Sequence, residues 1–120
     1  MLHRPAAERG RTGIADRVLE ATATRAASEV HGVAHTPGRL GGVLGSGLPA
    51  ATVTTAADHV RCRLSVAVRW GYSVASTAES VRRAVAVTVA DVTGYVVDAV
   101  DVHVAAVVGD SPADRTRRVA

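Results

Sequence analysis

The sequence predicts an α+β fold: a two-layer sandwich in which two helices cover one face of a three-stranded mixed sheet, in the order helix, strand, strand, helix, strand. Three segments carry that expectation. VRCRLSVAVRW, residues 60–70, sets Val60, Cys62, Leu64, Val66, Val68 and Trp70 on one parity and Arg61, Arg63, Ser65, Ala67 and Arg69 on the other, the alternation of a strand with one apolar face. SVASTAESVRRAVAVTVADVTG, residues 73–94, repeats its valines at helical spacing, and YVVDAVDVHVAAVV, residues 95–108, alternates again. Two strands joined through a helix lie parallel with a right-handed crossover, which leaves the remaining strand to pair antiparallel.

The elements follow in chain order. In TGIADRVLEATATRAASEVHGV, residues Ile14, Val18, Ala21, Ala26, Ala27 and Val30 recur at helical spacing, Thr12 can cap, and Gly32 supplies a stop, predicting a helix over about residues 13–30. HTPGRLGGVLGSGLP is dense in Gly and Pro and reads as a long loop over about 36–49. ATVTTAA, residues 51–57, is a short strand, and Asp58 with His59 turns it into the arginine-bearing strand as an antiparallel hairpin. The second helix presents Val74, Ala78, Val81, Val85, Val89 and Val92 as one stripe. Ser76 and Glu79 have capping-box spacing, Glu79 and Arg83 stand one turn apart, and Gly94 closes the helix. The last strand alternates Val100, Val102 and Val104 against Asp101 and His103. The domain is thus expected over residues 13–108, between a disordered basic tail at 1–12 and a disordered Arg-rich tail at 109–120.

Composition narrows the chemistry. All 14 basic residues are arginine, so a P-loop lysine, a Schiff-base lysine and a pyridoxal phosphate anchor are excluded. The formal charge of +3 resides in the tails, +2 over 1–12 and +1 over 109–120, while the segment between balances eight arginines against eight acids. A neutral body with basic ends speaks against a fold built to neutralise phosphates. Cys62 has no partner for a disulfide and lies on the apolar parity, as a buried thiol in a reducing compartment would. MLHRPAAERGRTG lacks the apolar run of a signal peptide, and the uncharged stretch 40–57 is too rich in Gly and Thr for a transmembrane helix. No membrane span is expected.

Candidate sites are few. His31 and His35 are four apart, but Gly32 and Pro37 break the helix and no Cys, Asp or Glu completes a ligand set; no metal or other cofactor is expected. No nucleophile elbow, acid pair or phosphate-cradling glycine loop appears, so no catalytic residue is assigned and the chain reads as a non-enzyme. GRLG, residues 38–41, matches the GxxG of KH-type RNA-binding domains, yet it precedes a glycine-rich loop instead of a helix. A small KH-like RNA-binding module is the alternative reading. The arginine face lacks base-stacking aromatics, so Arg61, Arg63, Arg69, Asp101 and His103 form a face that is solvated or binds protein, with Asp101 and His103 placed to offset the arginines across strands.

Two blocks carry a resemblance. GRTGIADRVLEATATRAASEVHGV ends in an EVxGV element, Glu29, Val30, Gly32 and Val33; VRCRLSVAVRWGY followed by VRRAVAVTVADVTGYVVDAVDVHVAAV places Trp70 and Gly71 as an aromatic-Gly pair and Thr93 and Gly94 as a TG pair. In this order and spacing the chain resembles the alkaline shock protein family, the Gls-type envelope stress response proteins, over most of residues 10–108. The resemblance implies a non-enzymatic, self-associating cytoplasmic scaffold, attached to the inner face of the membrane through a membrane-anchored protein partner and linked to envelope homeostasis. It supplies no catalytic residue. The glycine-rich 38–48 segment and Thr22 and Thr24 of the first helix depart from the family pattern.

Overall fold

The structure, a computed structural model, describes residues 6–37 and 47–109, with side chains from residue 13 onward. The GRLG motif at 38–41 lies outside the described residues, as does the tail expected over 109–120 except for Gly109. The elements are α1 (Ala6–Ser28), β1 (Val33–Ala34), β2 (Ala50–Ala56), β3 (His59–Arg69), α2 (Val74–Thr93) and β4 (Val96–Val108). The expected order holds, with one two-residue strand added. Part of the expected N-terminal tail is helical, since α1 begins at Ala6.

β3 is the centre of the sheet. β4 runs parallel to it along its whole length, from His59↔Val96 to Arg69↔Val108. β2 pairs antiparallel with its first half, Ala56↔His59 to Ala50↔Ser65, and β1 with its end, Val33↔Val68 and Ala34↔Ala67. A strand has two edges, so β1 and β2 must share the edge that β4 leaves free. They are collinear pieces of one broken edge strand. Thr36 and Leu48 close the break by exchanging backbone hydrogen bonds of 3.0 and 3.3 Å, and the Leu48 N–H also donates to Thr36 Oγ1 at 2.9 Å. The sheet is therefore three strands wide, as expected, but its fourth strand comes from the segment between the first helix and the expected loop.

Both helices cover one face, α1 over β2 and α2 over β4, and they pack against each other. β3 presents Val60, Cys62, Leu64, Val66 and Val68 to them, each almost fully buried. Removing a Val or Leu side chain from water contributes about 1.5–3 kcal/mol, so this row anchors the fold. α2 meets it with Thr77, Val81, Val85 and Val89, while Val74 and Val92, expected at the ends of the stripe, are exposed. The α2 cap is Ser73, whose Oγ accepts from the Ser76 N–H at 3.1 Å. Glu79 does not reach back in a capping box; it holds Arg82 and Arg83 instead.

α1 buries the expected Ala26 and Ala27, with Val30 just past its end packed on the core, but its N-terminal half turns a different side inward. Leu19, Ala23, Ala26 and Ala27 face the core, whereas Ile14 and Val18 are exposed and Ala21 lies outside. The buried side is mostly alanine because the helix lies close to its neighbours, and small side chains permit that approach. Two further corrections concern β3. The hairpin turn is Ala57–Asp58, so His59 is already in the strand. Trp70 lies beyond the strand end, where Gly71 at φ +94° turns the chain, and is 73% exposed instead of belonging to the apolar row.

Candidate interaction face

The face of β3 that the helices leave open carries His59, Arg61, Arg63, Ser65 and Arg69, none of them fully buried. Register fixes their neighbours. Arg61 lies between Thr54 on β2 and Ala99 on β4, Arg63 between Thr52 and Asp101, and Ser65 between Ala50 and His103. Arg61, Arg63 and Asp101, with Thr52, Val53 and Thr54, line a shallow depression of about 400 Å³. Four of the five expected face residues, Arg61, Arg63, Asp101 and His103, thus share one surface.

Arg69 does not join them. Six residues beyond Arg63, or about 20 Å along a strand, it lines a second hollow with Glu29, His31, Gly32, His35 and Tyr72. Between the two stands Ala67, which shares the arginine parity yet is fully buried. Its register partners are Ala34 and Ala106, so a row of small side chains crosses the sheet there and separates the basic residues.

The electrostatics of the open face are uneven. His59 Nδ1 lies 2.8 Å from Asp98 Oδ1, and Asp58 stands 3.8 Å from the other ring nitrogen. That hydrogen bond, with the charges of both carboxylates, raises the His59 pKa above its ordinary value. Arg61 and Arg63, by contrast, form no ion pair among the described residues, although Asp101 is the register partner of Arg63. The cross-strand offset expected from Asp101 is therefore not a contact. Exposed guanidinium groups in this state present donors suited to carboxylates of another molecule. On the opposite parity, burial pushes the Cys62 thiol up, away from the reactive thiolate.

His31 and His35 are both exposed, and among the described residues no group of three metal-ligating side chains forms. No described helix is long and apolar enough to cross a membrane.

The sequence matches the alkaline shock protein 23 family, described as having a cell envelope-related function, over residues 4–109. The chain belongs to the alkaline shock protein 23 family. This is the group that the two sequence blocks resemble. No protein of curated function matches the chain. Among solved structures, one MamM CTD variant is 17% identical, with 75% of this chain and 93% of that chain covered and a TM-score of 0.50. A second, MamM-CTD 215-293, is 16% identical, with 75% and 96% covered and the same score. At these identities the likeness shows the α+β fold alone.

In this alkaline shock family chain, most motif positions have a structural reason. Gly32 has φ +94°, and a Cβ there would stand 2.8 Å from the Tyr72 ring and 2.9 Å from Thr77 Oγ1, so only glycine lets α1 close onto the start of α2. Val30 packs against the core and Val33 is buried within it, while Glu29 pairs with Arg25 on the surface. Gly94, at φ +78°, ends α2 by donating its N–H to Ala90 C=O, and Thr93 Oγ1 accepts the Tyr95 N–H at 3.2 Å. Trp70 is the exception, an exposed aromatic, although the parity of β3 alone assigns it to the core. The signal that could have exposed Trp70 is the adjacent Gly71, which ends the pleat.

Proposed function

We propose that this alkaline shock family chain is a non-enzymatic adaptor of the cell envelope, held at the inner face of the membrane by a membrane-anchored protein partner and capable of associating with itself. The observation that carries the reading is the open sheet face, where the Arg61 and Arg63 guanidinium groups form no ion pair with any described residue. A protein partner bearing carboxylates can form charge-assisted hydrogen bonds there without first displacing an internal counter-ion. Family membership supports the envelope setting.

Affinity purification of the tagged chain from stressed cells tests it. The expected result is recovery of a membrane protein by the parent chain and its loss with R61D/R63D, at unchanged thermal stability. Recovery of RNA alone, with no envelope protein, would replace this reading with the RNA-binding one.

A further inference from the structure

The two edges of the sheet differ in what they can accept. The β1–β2 edge is interrupted after two residues by the 35–49 segment, whereas β4 is an unbroken strand of 13 residues with no described strand beyond it. An unpaired strand of this length is a template for another chain, and natural proteins normally blunt such edges with charge, proline or bulges; the two β4 bulges flank Ala99–Val104, over which the ladder is regular. From Val102 to Val108 β4 carries neither a formal charge nor a proline. Val102 and Val104 are only partly covered by the helices.

We propose that β4 pairs antiparallel with β4 of a second copy, about a two-fold axis through Val102. The proposal deepens the self-association in the function proposed above and rests on it. Two observations fix the register. The first is backbone direction. The Val96 N–H donates to Asp58 C=O and Val108 C=O accepts from the Trp70 N–H, so both point toward β3. Register shifts at Val60/Arg61 and Val66/Ala67 each add one residue to β4, and alternation between them turns the N–H and C=O of Val100, Val102 and Val104 outward. Those are the residues whose backbones a partner strand would bond.

The second is charge. Side chains directly opposite in an antiparallel pair share a face, so Asp101 can meet only residues of the open-face parity. An axis through Asp101 sets that carboxylate against its own copy. An axis through His103 sets imidazole against imidazole and leaves Asp101 opposite an alanine. The axis through Val102 sets Asp101 opposite His103 of the second copy, twice, at the non-hydrogen-bonded positions where side chains approach most closely. It also brings Val100 opposite Val104 of the second copy on the helix side. The outcome is one sheet of doubled width, with both Arg61 and Arg63 clusters on a single continuous face.

Sedimentation velocity over a wide range of concentration, combined with cysteine cross-linking, tests the register. The parent chain is expected to dimerise, H103D to sediment as monomer where the parent is dimeric, because it sets carboxylate against carboxylate, and D101H/H103D to restore the dimer by exchanging hydrogen-bond donor and acceptor. A mixture of D101C and H103C is expected to form a disulfide-linked dimer under mild oxidation, since facing Cα atoms at such positions lie about 4.5 Å apart, while neither variant alone does. Self-association that survives H103D, with no cross-link in the mixture, overturns the β4 pairing and leaves the adaptor reading standing. A parent chain that stays monomeric overturns both the pairing and the self-association, while capture of a membrane partner is read separately. A heterologous peptide bound along β4, with no homodimer, also overturns the proposal.

Discussion

The two faces of β3 are made from neighbouring residues of one strand, yet they do opposite work. Val60, Cys62, Leu64, Val66 and Val68 are almost wholly removed from water and hold both helices; the Arg61, Arg63 and Arg69 side chains are exposed and form no ion pair among the described residues. The difference separates stability from recognition. Substitution on one parity should unfold the protein, and substitution on the other should leave it folded but alone.

The largest effect is expected at Leu64, which is 1% exposed at the middle of the strand. Leu64→Ala should cost about 2–5 kcal/mol, through lost transfer energy and the cavity left between β3 and the helices. Chemical denaturation reads this directly. A loss below about 1 kcal/mol would mean that the helices collapse into the gap and that the core is less tightly packed than its burial implies. Next is Cys62→Ser, which changes little in size but places a hydroxyl where the native thiol has no exposure. A cost of about 1–3 kcal/mol follows unless the hydroxyl finds a backbone carbonyl. Retained thermal stability in C62S would show that such an acceptor is within reach.

On the other parity the ordering reverses. R61D and R63D should each change stability by no more than about 0.5 kcal/mol, because neither side chain has an internal ion pair among the described residues to lose. Their effect should fall on capture of the proposed membrane-anchored partner. Equal loss of stability and binding would place Arg61 and Arg63 among the fold's supports and remove the separation between the faces.

This division was legible in the sequence where one residue type dominates each parity, and it failed where side chains were small or the chain turned. β3 and α2 announce themselves because valine and arginine differ so much in hydrophobicity that the period is unambiguous. α1 does not. Its expected stripe is right at Ala26 and Ala27 and wrong at Ile14, Val18 and Ala21, where the larger residues face out while Leu19 and Ala23 face the core. Close packing selected the alanines, and nothing local encodes how near the neighbouring elements come. The same holds for β1, whose two residues gain strand character only from pairing with Val68 and Ala67. At the candidate face the alternation of β3 supplied the residues, but not the row of small side chains, Ala34, Ala67 and Ala106, that sets Arg69 apart. That row depends on register between strands distant in sequence.

The smallest predicted effect distinguishes residues within the open face. Of the charged side chains that β3 places there, His59 forms an ion pair with described residues, and Arg61 and Arg63 do not. The hydrogen bond to Asp98 and the nearby carboxylate charges raise the His59 pKa above 6.5 in the folded protein. A raised folded pKa means that the native state binds the proton more tightly than the unfolded chain. The resulting stabilisation is complete below the unfolded value and disappears as pH rises through the folded one. Glu79 does not confuse the window. Its pKa is lowered, first by the hydrogen bond from Arg82, so its contribution is present above its unfolded value of 4.5 and fades only as pH falls through the folded one. Asp98→Asn should therefore flatten the decline in thermal midpoint expected of the parent as pH rises above 6.5, with little change once His59 is neutral in both states. Identical slopes in D98N and the parent would mean that the His59–Asp98 pair is open in solution, and that His59 faces solvent beside Arg61 and Arg63.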